Sequence, residues 1–229
     1  MTRQYVDVPC VERAEIVDRD SGIAYFRLSS FQKSTSTDVD ATLWKLHREG
    51  MRSLIVDVRG NPGGLLTAAV EVADKFVEEG SIVSTHGRSE RENFDYKAHR
   101  VGTWRVPLVV LVDADTASAS EIFAGAIRDH RRGTVVGQRT YGKGSVQGIF
   151  PLGTSRGGIR LTTAKFRSPS GTLISNNGVK PHWNVQTVAR PTESGEFVSD
   201  PTAGNVAANE DPVFSAAIEA ARRMAVATR

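Results

Sequence analysis

A single cysteine, Cys10, in 229 residues excludes an internal disulfide and any cysteine-based metal cluster. Its expected role is that of a small apolar residue in an N-terminal strand. Histidine is also scarce, at five residues, and none has a metal-ligand spacing such as HExxH. His47 falls in a helical pattern, His86 and His99 in a polar segment, His130 directly after Asp129, and His182 after Lys180-Pro181; an ordinary surface role is expected for each. No run of 18 apolar residues is present, which argues against membrane insertion. Nor does one sign of charge dominate: 29 Lys and Arg face 26 Asp and Glu, for a net +3. The densest basic stretch, RSER at 88–91, is interrupted by acid, so no nucleic-acid footprint is expected. The start MTRQYVDVPC lacks the apolar core of a signal peptide, which fits either a cytosolic protein or a chain relieved of its targeting segment.

The residues present describe an ordinary folded domain, large enough to bury a core without cross-links. Apolar and polar residues alternate from 11 to 29 around Asp20-Ser21-Gly22, the pattern of a β-hairpin. Asp38 or Asp40 can cap a helix carrying Leu43, Trp44 and Leu46, and Gly50 ends it. Strand SLIVDV, loop RGNPGG and a helical stripe of Leu65, Ala68, Ala69, Val72, Phe76 and Val77 follow, with Gly80 at the end. The alternation recurs as a strand over 106–114 and a helix over 118–129, which predicts an α/β architecture with a parallel or mixed sheet. From Gly133 the chain turns β-rich and is expected to extend the sheet as a meander or hairpin. Residues 190–210 read as a polar linker, and a final helix begins at Asp211-Pro212 with Phe214, Ala217, Ile218 and Ala221 inward. The expected organisation is an N-terminal hairpin over 1–30, a core over 31–189, and a linker with a terminal helix over 190–229.

Chemistry concentrates at TASASEIF (116–123), where two serines sit between an apolar strand and a helix. With no histidine in a triad motif, the base to look for is a lysine, which can accept a serine proton when held neutral. Lowering a lysine from about 10.4 to near 7 forfeits roughly 4–5 kcal/mol of charge solvation, so its site must be shielded. Most lysines lie on polar faces. Lys143 differs, with Gly142 and Gly144 on either side to let another backbone or a substrate approach.

TASASEIFAGAIRD, VVGQRTYGKGSVQ and LIVDVRGNPGGLL together resemble the catalytic core of the C-terminal processing peptidases, or tail-specific proteases, over roughly residues 20–188. That resemblance implies a Clp protease/crotonase-like spiral α/β core, with a mixed sheet flanked by helices, hairpin extensions and a C-terminal helix. It implies a Ser/Lys dyad in which the nucleophile precedes the lysine by 25 positions, hence Ser118 with Lys143. It also implies Gln147 as the residue orienting the lysine, and no metal or cofactor. Ala119 N–H, at a helix N-terminus, is the natural first oxyanion donor. The second is expected from the RGNPGG loop, as Gly63 or Gly64. The implied partner is a polypeptide with an apolar C-terminal tail, and the implied compartment is extracytoplasmic; a homo-oligomer or regulatory partner is compatible with both. The alternatives are a non-proteolytic ligand- or peptide-binding protein on the same fold, or a latent core awaiting a partner.

Ser120, about 200° around the helix from Ser118, is scaffold. Asp129, about 16 Å further along, is helix-ending support or pairs with Arg131 or Arg132. Gln147 reaches Lys143 only if the chain bends at Gly144-Ser145, since four extended residues span about 13 Å. His182 stands where the family usually has an acidic residue. The PDZ domain that commonly precedes such cores does not fit in the roughly 20 residues before the hairpin, so substrates are selected differently or the chain has been trimmed.

Overall fold

The computed structural model describes residues 9–153, 157–185, 190–191, 197–198 and 211–227. Its main sheet contains β1 (Val11–Asp18), β2 (Ile23–Leu28), β3 (Ser53–Asp57), β6 (Leu108–Val112), β7 (Thr134–Gly137) and β10 (Trp183–Asn184), in that spatial order. β1 pairs antiparallel with β2 as a bulged hairpin, and the remaining neighbours are parallel. Parallel neighbours need crossovers, and helices supply the first three: α1 (Thr35–Arg48), α2 (Leu66–Asp74) and α3 (Ala119–Asp129).

Strand periodicity divides the core between the two faces. Ala24, Phe26, Leu54, Val56, Leu108 and Val110 join α1, α2 and α3 on one side. The intervening Ile23, Tyr25, Ile55, Val109 and Leu111 pack on the other side against α4 (Pro212–Ala227). Both faces of the central strands are therefore apolar, as covered parallel strands require. In α4 the inward residues are Val213, Ala217, Ala220 and Ala221, while Phe214 and Ile218 are only partly buried; the stripe is rotated slightly from the expected one.

A second sheet has the order β5 (Phe94–Lys97), β4 (Ser81–Gly87), β9 (Gly158–Arg167), β8 (Ser145–Pro151), all antiparallel. The β-rich region after Gly133 thus divides. β7 extends the main sheet, whereas the β8–β9 hairpin leaves it and pairs with β4. Two helices also differ from expectation. α1 starts at Thr35, whose buried hydroxyl accepts the Gln32 N–H at 2.8 Å, so Asp38 lies in its first turn. α2 ends at Asp74; Phe76 and Val77 are buried by a turn in which both N–H groups bond Ala73 C=O, and Leu65 is exposed ahead of the helix. Of the 190–210 linker, only the paired Arg190–Pro191 and Phe197–Val198 are among the described residues. No described helix is long and apolar enough to cross a membrane.

Candidate active site

Three loops leave the C-terminal ends of adjacent parallel strands, the favoured location for sites in α/β sheets. Residues 58–65 follow β3, residues 113–118 follow β6, and residues 138–144 follow β7. A cavity of about 300 Å³ lies where they meet, bounded by Ser118, Ala119, Gly64, Lys143, Gln147 and apolar walls that include Leu66, Ile122 and Phe166.

Ser118 precedes α3 with φ 58° and ψ −117°, a left-handed conformation that a serine rarely adopts. Such backbone costs about 1–3 kcal/mol and persists only where its surroundings impose it. Here the neighbours are evident. Ala117 N–H donates to Asn61 C=O at 3.0 Å, and the buried Ser120 hydroxyl donates to the same carbonyl at 3.0 Å. Ser118 N–H donates to Glu121 Oε2 at 2.9 Å. Ser120 therefore supports the turn, facing away from the cavity that Ser118 lines.

The RGNPGG loop is equally constrained. Asn61 is fully buried; its Nδ2 donates to Leu28 C=O at 2.7 Å and its Oδ1 accepts Gly63 N–H at 2.9 Å. Phe31 clamps the next residues, donating to Gly63 C=O and accepting from Leu65 N–H. A side chain would not fit at either glycine. A Cβ on Gly63 would lie 2.8 Å from the Ser118 Cβ, and one on Gly64 would lie 2.0 Å from Phe31 O. Gly63 N–H is thus committed to Asn61. Gly64 N–H has no hydrogen-bond partner among the described residues, and Gly64 borders the cavity. Ala119 N–H, the first of α3, lacks an intrahelical acceptor by its position.

Glu121 joins the serine turn to the lysine loop. Its fully buried carboxylate accepts from Thr140 Oγ1 at 2.5 Å, Gly142 N–H at 2.7 Å, Lys143 N–H at 2.8 Å and Ser118 N–H at 2.9 Å. Tyr141 N–H adds a bond to Thr116 C=O. The sequence reading missed Glu121, although Ser118-x-x-Glu121 has the spacing of a helix capping box, in which the glutamate returns to the N-cap N–H.

Lys143 is exposed, and no hydrogen bond joins its Nζ to Ser118 Oγ among the described residues. The shielding expected of a neutral lysine is therefore not supplied by the protein groups around it. The irregularities lie on either side of the bend anticipated at Gly144-Ser145: Gly142 is left-handed, and the register shifts between Val146 and Gln147. That bulge lets Ser145, Val146 and Gln147 all border the cavity, which strict strand alternation would prevent.

Asp129 lies outside this cavity, at the far end of α3, and pairs with Arg128 at 2.9 Å instead of with Arg131 or Arg132. Arg131 leaves the helix with φ 53°, while Arg132 ties Phe76, Trp104 and Val106 carbonyls together. Burial pushes the Asp129 carboxyl up, but hydrogen bonds from Ser168, Ser170 and Arg128 outweigh it, and the net shift is downward. At the start of the RGNPGG loop, Arg59 pairs with Asp57 at 2.7 Å and with Asp211 at 2.8 Å, and Tyr25 donates to Asp57 at 3.0 Å. This cluster was also unread; a buried charge within an otherwise apolar strand, the Asp57 of SLIVDV, was its available sign. No trio of His, Cys, Asp and Glu suited to a metal occurs among the described residues.

This chain is similar to the carboxy-terminal-processing protease of Bartonella bacilliformis, 44% identical over 71% of this chain and 38% of that protein. It is 36% identical to the carboxyl-terminal-processing protease of a Synechocystis species, over 88% of this chain and 46% of that one. Among solved structures it superposes on the photosystem II D1 C-terminal processing protease with a TM-score of 0.68 and 32% identity, over 80% of this chain and 50% of the other. The chain therefore spans half or less of the length of these relatives, and within that span its fold is the Clp protease/crotonase-like core. Residues 22–185, well over half of the sequence, match peptidase family S41, and the chain belongs to that family.

Proposed function

We propose that this chain is the catalytic core of a serine endopeptidase that cleaves polypeptides near their C-termini, with Ser118 as nucleophile and Lys143 as general base. The observation carrying the proposal is that a strained Ser118, two backbone N–H groups without acceptors, Lys143 and Gln147 border one cavity. Family membership supports the reaction class.

In this mechanism Ser118 Oγ adds to the scissile carbonyl carbon while neutral Lys143 Nζ takes its proton. The carbonyl oxygen becomes an oxyanion held by Ala119 N–H and Gly64 N–H. Gly63 is the poorer second donor because its N–H already serves Asn61. Collapse breaks the C–N bond, and the lysine ammonium gives its proton to the departing amine. Water, deprotonated by Lys143, then adds to the Ser118 ester; the lysine ammonium returns that proton to Ser118 Oγ as the ester C–O bond breaks and the new carboxyl terminus leaves. Gln147 orients the lysine amine. Leu66, Ile122, Val146 and Phe166 favour a small or apolar side chain beside the scissile bond.

Exposure of Lys143 favours one variant of this reading, a core that is latent until its groove is covered. A bound peptide would exclude water from the lysine and so favour its neutral form. An extracytoplasmic compartment is included in the proposal on the strength of the family resemblance.

The test is incubation of the protein and its Ser118→Ala, Lys143→Ala and Lys143→Arg variants with an unfolded polypeptide ending in an apolar tail. Cleavage by the parent alone is expected, since a guanidinium cannot serve as a neutral base. Equal cleavage by all four would sink the dyad; no cleavage by any would favour the latent core or a peptide-binding role.

A further inference from the structure

A second cavity, of about 360 Å³, lies at the opposite end of α3 from Ser118. Its charge is unbalanced. Arg128, Arg139 and Lys180 border it together with one carboxylate, Asp129. That carboxylate is already engaged, accepting from Arg128 Nη1 at 2.9 Å and from Ser170 N–H at 3.1 Å. Arg139 and Lys180 form no ion pair among the described residues. Two cations therefore face the same space without a counter-ion.

The negative end of the α3 dipole would ordinarily oppose an anion here. Its last carbonyls are already occupied: His130 N–H bonds Ala126, Arg131 N–H bonds Arg128, and Arg132 N–H bonds Ile127. The floor is kept open by Gly125. A Cβ there would meet Val179 and Ser168 at 3.6 and 3.7 Å, ordinary contact distances, so packing does not require glycine at this position. Its missing side chain leaves depth beneath the two cations.

We infer that this cavity binds a small molecule carrying two or more negative oxyanion groups, carboxylate or phosphate, between Arg139 and Lys180. The volume suits a compact ligand and the paired cations suit a dianion. The site also communicates with the lysine loop. Val179, in its wall, donates to Thr140 Oγ1 at 2.7 Å, and the same hydroxyl donates to Glu121 Oε1. Thr140 N–H returns to Val179 C=O. A ligand ordering Val179 and Lys180 therefore acts one residue from the contacts that hold Lys143.

Calorimetric titration with pyrophosphate and with citrate, at low ionic strength and in a chloride-matched control, tests the inference and needs no proteolytic activity. Saturable binding of at least one probe is expected, weakened about tenfold or more by Arg139→Gln/Lys180→Gln. Gly125→Leu, which fills the floor, should weaken it similarly while the melting temperature reports retained folding. The two probes distinguish phosphate from carboxylate ligands. Absence of saturable binding by either, affinity unchanged in the Arg139/Lys180 double variant, or full competition by matched chloride would overturn the assignment.

Discussion

Glu121 Oε2 holds the backbone N–H of Lys143 at 2.8 Å and takes the Ser118 N–H as well, so one oxygen atom sets the spacing of the two segments proposed to react. A carboxylate suits this position because every neighbour is a donor. Glu121→Gln replaces one acceptor with an NH2 group aimed at N–H donors. The expected cost is about 2–4 kcal/mol of stability from unmade buried hydrogen bonds. Activity should fall about 100-fold or more, as for a site displaced by an ångström. Urea unfolding and peptide hydrolysis check the two effects; a variant with parental turnover would show that the carboxylate does not position the dyad.

The Asn61 side chain spans the loop, from Leu28 C=O to Gly63 N–H. Asn61→Ala leaves that buried carbonyl and N–H unpaired, at an expected cost of about 1–3 kcal/mol each. Asn61→Asp keeps the acceptor for Gly63 but loses the donor to Leu28, and so should be the more stable of the two only if its charge finds a partner. Both should lower kcat more than they change KM, because the Gly64 N–H is proposed to bind charge that develops during reaction. A pure KM effect would instead assign the loop to substrate binding.

What could be read from sequence, and what could not, follows from the range of the forces involved. The alternation of Ala24, Phe26 and Leu28 with Ile23 and Tyr25 is local and survives as the two faces of β2. The three glycine- and serine-bearing motifs announced loops because tight turns out of a strand, two into a helix and one into β8, need small residues. The pairing of β9 with β4, some 80 residues earlier, leaves no local trace beyond alternation. The stop of α2 at Asp74 was hidden because Phe76 and Val77 keep helical spacing while being buried by a turn. The convergence of Thr140, Gly142 and Lys143 on Glu121 depends on backbone N–H groups, which every residue possesses. Arg59 meets Asp211 across 152 positions, a contact that no pattern within either segment reveals.

His182 offers a pH-dependent test that is independent of catalysis. Burial, followed by the nearby Arg128, holds its pKa below the ordinary 6.5, with Asp129 opposing. Its Nδ1 accepts Val135 N–H at 3.0 Å, which requires that nitrogen to be unprotonated. The folded state therefore binds the proton less well than the unfolded state. The stabilisation is complete above about 6.5 and is lost as pH falls through the lower folded value. His182→Asn can keep an acceptor toward Val135 without titrating in this window. Urea midpoints measured from pH 8 to pH 5 should fall more steeply for the parent than for this variant; parallel curves would remove His182 as the cause. Asp129, depressed on balance, adds its own loss at still lower pH, and Asp129→Asn should flatten that more acidic limb.

Asp211 ties α4 to the loop proposed to hold the oxyanion. Asp211 accepts Val213 N–H and Phe214 N–H with Oδ1, capping α4, while its Oδ2 accepts Arg59 Nη1. Asp57 and Asp211 together hold the buried guanidinium strongly in its charged form, against the desolvation that opposes it. Because Arg59 opens the loop that contains Asn61 and Gly64, the cap of a remote helix fixes the start of the segment proposed to hold the oxyanion. Asp211→Asn retains a capping oxygen but turns an NH2 group toward Arg59 Nη1 in place of the acceptor, leaving Arg59 paired with Asp57; about 1–3 kcal/mol is expected. Arg59→Met strands two carboxylates and should cost about 3–5 kcal/mol. Because the cluster is buried, the difference between each variant and the parent should change little between 0.1 and 0.5 M salt, at about a Debye length or less of screening. A reversed order of cost, or a difference that vanishes in salt, would mean that α4 is held by its apolar face alone.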